Sequence, residues 1–91
     1  MATIPEALNL ALQYHRAGRL PEAEGVYRQI LQAQPDHSEA LHLLGMIAYQ
    51  DSRHEEAVEY VKQAIALNPS VDEFHNNLGT VYLELDQVEA A

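Results

Sequence analysis

With 91 residues the chain has room for one domain and little room for a deep catalytic cleft. Its 14 Asp and Glu against 5 Lys and Arg leave a formal charge of −9, which argues against binding a phosphate backbone or an anionic bilayer. Cys is absent, which excludes disulfides and thiol chemistry, and the 47% apolar content is that of a folded chain. No apolar run approaches ~20 residues, the length a membrane span needs. Met1-Ala2-Thr3-Ile4-Pro5-Glu6 lacks the basic and apolar regions of a signal peptide. The expectations are a cytoplasmic location and neither a nucleic-acid nor a membrane partner.

In chain order, Thr3 and Glu6 form a capping box and Pro5 suits a first turn, so a helix is predicted over 4–17, stopped by Gly18 in a left-handed cap. Pro21 opens a second, whose Ala23, Val26, Tyr27, Ile30 and Leu31 make an amphipathic stripe ending before Pro35. Asp36 with Glu39 caps a third over 37–50, Ser52 with Glu55 a fourth reaching Leu67, and Ser70 with Glu73 a fifth over 71–85. No stretch alternates with the period of a strand.

The helices echo one another. Leu44-Gly45 recurs 34 residues on as Leu78-Gly79, Leu10 precedes Leu44 by the same step, and Ala23 aligns with Ala57, Glu39 with Glu73 and Pro35 with Pro69. These residues resemble the tetratricopeptide repeat, whose pattern sets Leu-Gly, an aromatic, Ala and Pro at fixed places in 34 positions. The second unit shows it as Leu41, Leu44-Gly45, Ala48, Ala57, Val61 and Pro69, and the first as Ala7, Leu10-Ala11, Tyr14, Ala23, Tyr27 and Pro35. Ser52 and Asp86 stand where the first unit has its turn glycine, Gly18.

The resemblance implies an all-α solenoid of antiparallel helix pairs: one domain over 1–91, with units 4–37, 38–71 and an incomplete 72–91, five full helices and the start of a sixth. Gly45 and Gly79 would let the second helix of each unit approach the first. The uncovered fifth helix, with Phe74, Leu78, Val81, Tyr82 and Leu85, suggests the N-terminal piece of a larger bacterial protein, a homodimer through that face, or both.

The resemblance also implies function. The first helix of each unit would line a concave groove that binds a peptide or partner helix, without catalysis. Positions 2, 5, 9 and 12 of a unit fall on one helical stripe, with position 6 beside it. In the first unit these are Pro5, Leu8, Leu12 and His15 with Asn9; in the second Glu39, His42, Met46 and Tyr49 with Leu43; in the third Glu73, Asn76, Thr80 and Leu83 with Asn77. Each of the apolar residues Leu8, Leu12, Leu43, Met46 and Tyr49 is as readily core as groove floor.

Asn9 and Asn77 resemble part of the asparagine ladder of O-linked N-acetylglucosamine transferases, which Leu43 interrupts; a solvated polar residue is the simpler account of each. The carboxylate-gripping positions of co-chaperone repeats are Leu8, Leu12, Leu43, Glu73 and Asn77 here, without Lys or Arg, so capture of a C-terminal carboxylate is not expected. A substrate-recognition region of a larger enzyme, such as a repeat-bearing glycosyltransferase, and a self-assembly element are the alternative readings.

Catalytic signatures are missing from the sequence. No two His stand four apart, and His54-Glu55-Glu56-Ala57-Val58 lacks the second His of a zinc helix. His42 and His75 could face each other across neighbouring groove helices, more simply as groove lining than as metal ligands. Cofactor and metal are expected to be absent.

Overall fold

The computed structural model describes residues 3–90, with side chains as far as Gln87. Five helices follow in order: α1 Ile4–Arg16, α2 Leu20–Ala33, α3 Ser38–Gln50, α4 His54–Leu67 and α5 Asp72–Ala90. The described residues contain no strand. The starts of α1, α3 and α5 are spaced by the 34 residues of the sequence echo, and so are those of α2 and α4.

The termini of the helices follow from side chains. Thr3 caps α1: its Oγ1 accepts from the Glu6 N–H at 3.2 Å, and the Glu6 carboxylate accepts from the Thr3 N–H at 3.4 Å. After α1, Gly18 takes φ +78°, and the Arg19 N–H returns to the Tyr14 carbonyl at 2.9 Å. Ser52 repeats this closure after α3 with φ +61°, while the Arg53 N–H returns to the Ala48 carbonyl at 2.8 Å.

Three expected caps are corrected. α3 begins at Ser38, so its cap is His37, whose Nδ1 accepts from the Ala40 N–H at 3.0 Å; Asp36 lies one residue too early. α4 begins after Arg53, with no side-chain cap, because Ser52 is already used in the left-handed turn. α5 begins at Asp72, leaving Ser70 in the preceding turn.

The helices form two layers. α1 packs on α2 and α3 on α4, as antiparallel pairs joined by short turns, while α2 also packs on α3 and α4 on α5. α1, α3 and α5 form one layer, called the inner below, and α2 and α4 the other, called the outer. The core is a string of clusters between neighbours: Ala11, Ala23, Tyr27, Ile30, Ala40, Leu44 and Ile47 where α1–α3 meet, then Ala48, Ala57, Val58 and Val81, and Leu41, Ala64 and Phe74, holding α5. Each helix is stabilised only by its neighbours, the defining economy of a solenoid.

α5 departs from expectation. It runs unbroken through Asp86 to Ala90, where a turn and a sixth helix were anticipated. Asp86-Gln87-Val88-Glu89-Ala90 contains no Gly or Pro to stop it. Nor is its apolar face as open as anticipated. Phe74 and Val81 are buried and Leu78 and Leu85 half-buried, leaving Tyr82 (46% exposed) and, on the groove side, Leu83 (61%) as its large open apolar residues.

Candidate functional site: the inner-layer groove

The stripe along α1, α3 and α5 is built by how neighbouring inner helices touch. Two side-chain bonds cross between them. The His15 Nε2–H of α1 donates to the Gln50 carbonyl of α3 at 2.7 Å. The Asn77 Nδ2–H of α5 donates to His42 Nε2 of α3 at 2.7 Å. Each joins residues 35 apart, one more than the repeat, so a side chain on one inner helix meets the next position of the following unit. Leu8 and Leu43 are also 35 apart, and both are half-buried against one core cluster.

The two histidines are therefore set in fixed tautomers. His15 donates from Nε2, so its Nδ1 is left to accept the Tyr27 hydroxyl, 3.5 Å away. Burial foremost, then the Glu39 charge, pushes the Tyr27 phenol up to about 12, so it remains a donor. His42 accepts at Nε2 and carries its proton on Nδ1, which faces the Glu73 carboxylate at 3.8 Å. Its ring lies tilted on Phe74, with centroids 4.6 Å apart. Burial holds the His42 pKa below its ordinary value, although Glu73 and Glu39 pull the other way.

The predicted groove residues thus divide. His42, 2% exposed, is not groove lining but an inter-unit buttress. Asn77 is half-buried and committed to it, so of the two ladder asparagines only Asn9 stands exposed. Leu8, Leu12, His15, Leu43, Met46 and Tyr49 are half-buried. Met46 and Tyr49 pack against the cluster of Ala48, Ala57, Val58 and Val81. Glu39, Glu73, Asn76 and Thr80 are exposed, and the Thr80 hydroxyl donates to the Asn76 carbonyl at 3.2 Å. His75 bonds the Pro69 carbonyl at 2.8 Å, so it and His42 take different partners. Among the described residues no group of three His, Asp or Glu side chains is placed to hold a metal ion.

The outer helices and the turns that lead into them hold four of the five cations, with Arg16 of α1 the fifth. Arg53 bonds Asp51 at 3.0 Å, Glu56 at 2.8 Å and, from the turn before α4 across to α2, Glu24 at 2.7 Å. Glu24 also holds Arg28 at 2.8 Å. Burial raises the Glu24 pKa, but the bonds to Arg28 and Arg53 outweigh it and leave the carboxyl below its usual range. Sequence reading missed this clasp, although Arg19 with Glu22 and Arg53 with Glu56 repeat at the 34-residue step and form the same i,i+3 pair.

Comparison with known proteins supports the helical-repeat fold. Tetratricopeptide repeat profiles match residues 3–70 and residues 54–91. Tetratricopeptide repeat protein 7B of human is 35% identical over 63 residues, which are 69% of this chain and 8% of that protein. An O-GlcNAc transferase from Thermobaculum terrenum superposes with a TM-score of 0.90 at 35% identity, covering 99% of this chain and 18% of that one. The C-terminal TPR-containing domain of an FK506-binding protein from Plasmodium falciparum gives 0.88 at 26% identity, covering 97% of this chain and 58% of that one. The chain therefore spans only a small part of most of these relatives.

Proposed function

This chain belongs to the tetratricopeptide repeat family, and we propose that it is a non-catalytic interaction module that holds a peptide or partner helix along α1, α3 and α5. The carrying observation is the row of half-buried Leu12, Met46 and Tyr49 beside exposed Leu83 on the inner layer. Apolar groups left half-covered at helical spacing suit the side chains of an extended or helical segment, and the Met46 thioether can adapt to their shape. Panning a displayed random peptide library against the chain, then mapping a selected peptide by amide resonance shifts, tests this. Shifts concentrated on α1, α3 and α5 support the reading; shifts confined to α2 and α4 overturn it.

A second reading is the substrate-recognition region of a larger enzyme. It is favoured by the likeness to an O-GlcNAc transferase over nearly the whole of this chain. A glycosyltransferase domain encoded beyond Ala91 would support it, and further repeats followed by a stop would not. A third reading, self-assembly as a homodimer, draws on exposed Tyr82 of α5. Light scattering across a concentration series tests it, and a strict monomer would exclude it.

A further inference from the structure

The inner layer is apolar in its middle and acidic at one end. Glu39 stands one turn before His42 on α3, and Glu73 reaches the same imidazole from α5 at 3.8 Å. Glu39 and Glu73 hold the same place in successive units, on the adjacent helices α3 and α5, and the charge of each acts on the His42 imidazole against its burial. That imidazole is nearly inaccessible and, with its Nε2 lone pair taken by Asn77, neutral, so it does not neutralise them. Both carboxylates are exposed, and among the described residues neither has a Lys or Arg partner.

The surrounding charges deepen this imbalance. α3 and α5 contain no Lys or Arg, and α1 has only Arg16, at its far end. Arg19, Arg28 and Arg53 are bound to carboxylates of their own in and beside the outer layer. Met46 and Tyr49 follow Glu39 along α3, with Met46 two turns or about 10 Å further on.

From this juxtaposition we propose that the groove takes an apolar segment bearing Lys or Arg, with the cation seated between Glu39 and Glu73 and the apolar side chains over Met46 and Tyr49. The inference rests on the groove reading above and assigns it a ligand chemistry. In an extended ligand, at about 3.3 Å per residue, cation and apolar anchor stand roughly three residues apart. Acidic segments and free carboxylates are repelled by the same pair of charges. The carboxylates supply preference, and the apolar floor supplies most of the affinity.

The test uses a labelled short peptide of Leu and Ser bearing Lys three residues from its Leu anchors, and its counterpart with Glu in place of Lys, each titrated into the chain with amide resonances recorded. The Lys peptide is expected to shift Glu39, Met46 and Tyr49 and to bind roughly tenfold tighter than the Glu peptide at low salt. Adding salt, or the double substitution Glu39→Gln with Glu73→Gln, should remove most of that difference. Both glutamates are exposed, so the double variant keeps the fold. Equal binding of the two peptides in the groove, or a preference that survives the double variant, overturns the cation inference and leaves the groove reading standing. Shifts confined to α2 and α4, or no shift by either peptide, overturn both.

Discussion

Asn77 donates its amide to His42 at 2.7 Å, and this bond closes only on a neutral imidazole. Protonating His42 would set two donors against each other and place a charge in a site that is 2% exposed. The folded-state pKa lies below the unfolded value near 6.5, so the unfolded chain binds the proton more readily. The stability this imidazole contributes is complete above that value and is lost as pH falls through the window beneath it. The loss is at most about 1.4 kcal/mol per pH unit. Denaturant titrations from about pH 8 down to pH 5 should show this slope in the native chain, and His42→Gln should flatten it. An unchanged slope in the variant would assign the titration elsewhere.

Gly45 and Gly79 hold the same place in successive units but not the same surroundings. A Cβ at Gly45 would come within 2.8 Å of the Val61 side chain and 3.3 Å of the Ala57 carbonyl, whereas at Gly79 it would meet nothing within 4 Å. Gly45→Ala should therefore cost about 1–3 kcal/mol through overpacking. Gly79→Ala should stabilise by about 0.5–1 kcal/mol, by restricting the unfolded chain and favouring the helix. Denaturant midpoints measure both. A loss at Gly79→Ala would mean that another helix already lies on that seam in solution, as a homodimer through α5 would require.

Gly18 and Ser52 close their helices in the same left-handed conformation, φ +78° and +61°. Space around Gly18 is open, so Gly18→Ala isolates the backbone cost, about 1–2 kcal/mol. Ser52→Gly should gain less than about 1 kcal/mol, because relief of strain is offset by a freer unfolded chain. Thermal unfolding of the two variants should move in opposite directions.

The Glu24–Arg53 bond, at 2.7 Å, ties α2 to the turn that opens α4. A double-mutant cycle with Glu24→Gln and Arg53→Met should return a coupling of about 0.5–1 kcal/mol that shrinks in salt. Because the Glu24 pKa lies below its ordinary value, this contribution is present above about pH 4.5 and is lost as pH falls further. Zero coupling at low salt would reduce the clasp to a surface contact.

The sequence carried the architecture because its signals were local. Apolar periodicity, Thr3 with Glu6, Gly18 and the two Pro at the helix ends mark the helices to within a residue or two, except at the end of α5. Its spacing of 34 also made Gly45 legible as a packing residue. Other features depend on relations that a repeat period does not encode. The step of 35 between inner helices comes from how one unit is offset against the next, and it drew His42 and Asn77 out of the groove and onto each other. His37 replaced Asp36 as a cap because helix starts vary by a residue. The Arg53 clasp joins units rather than repeating within one, so each half looked like an ordinary exposed charge.

Substitutions on the two layers separate a binding surface on α1, α3 and α5 from one on α2 and α4. Leu83 is 61% exposed, so Leu83→Glu alters the groove without opening the core; Met46→Glu alters its middle; Glu59→Gln, exposed on α4, is the outer-layer control. Affinity for one selected peptide is measured by titration beside helical content. Leu83→Glu and Met46→Glu should each weaken binding roughly tenfold or more with helical content retained, and Glu59→Gln should leave it unchanged. Undiminished binding by a folded Leu83→Glu chain, together with loss of binding in Glu59→Gln, would contradict binding on α1, α3 and α5.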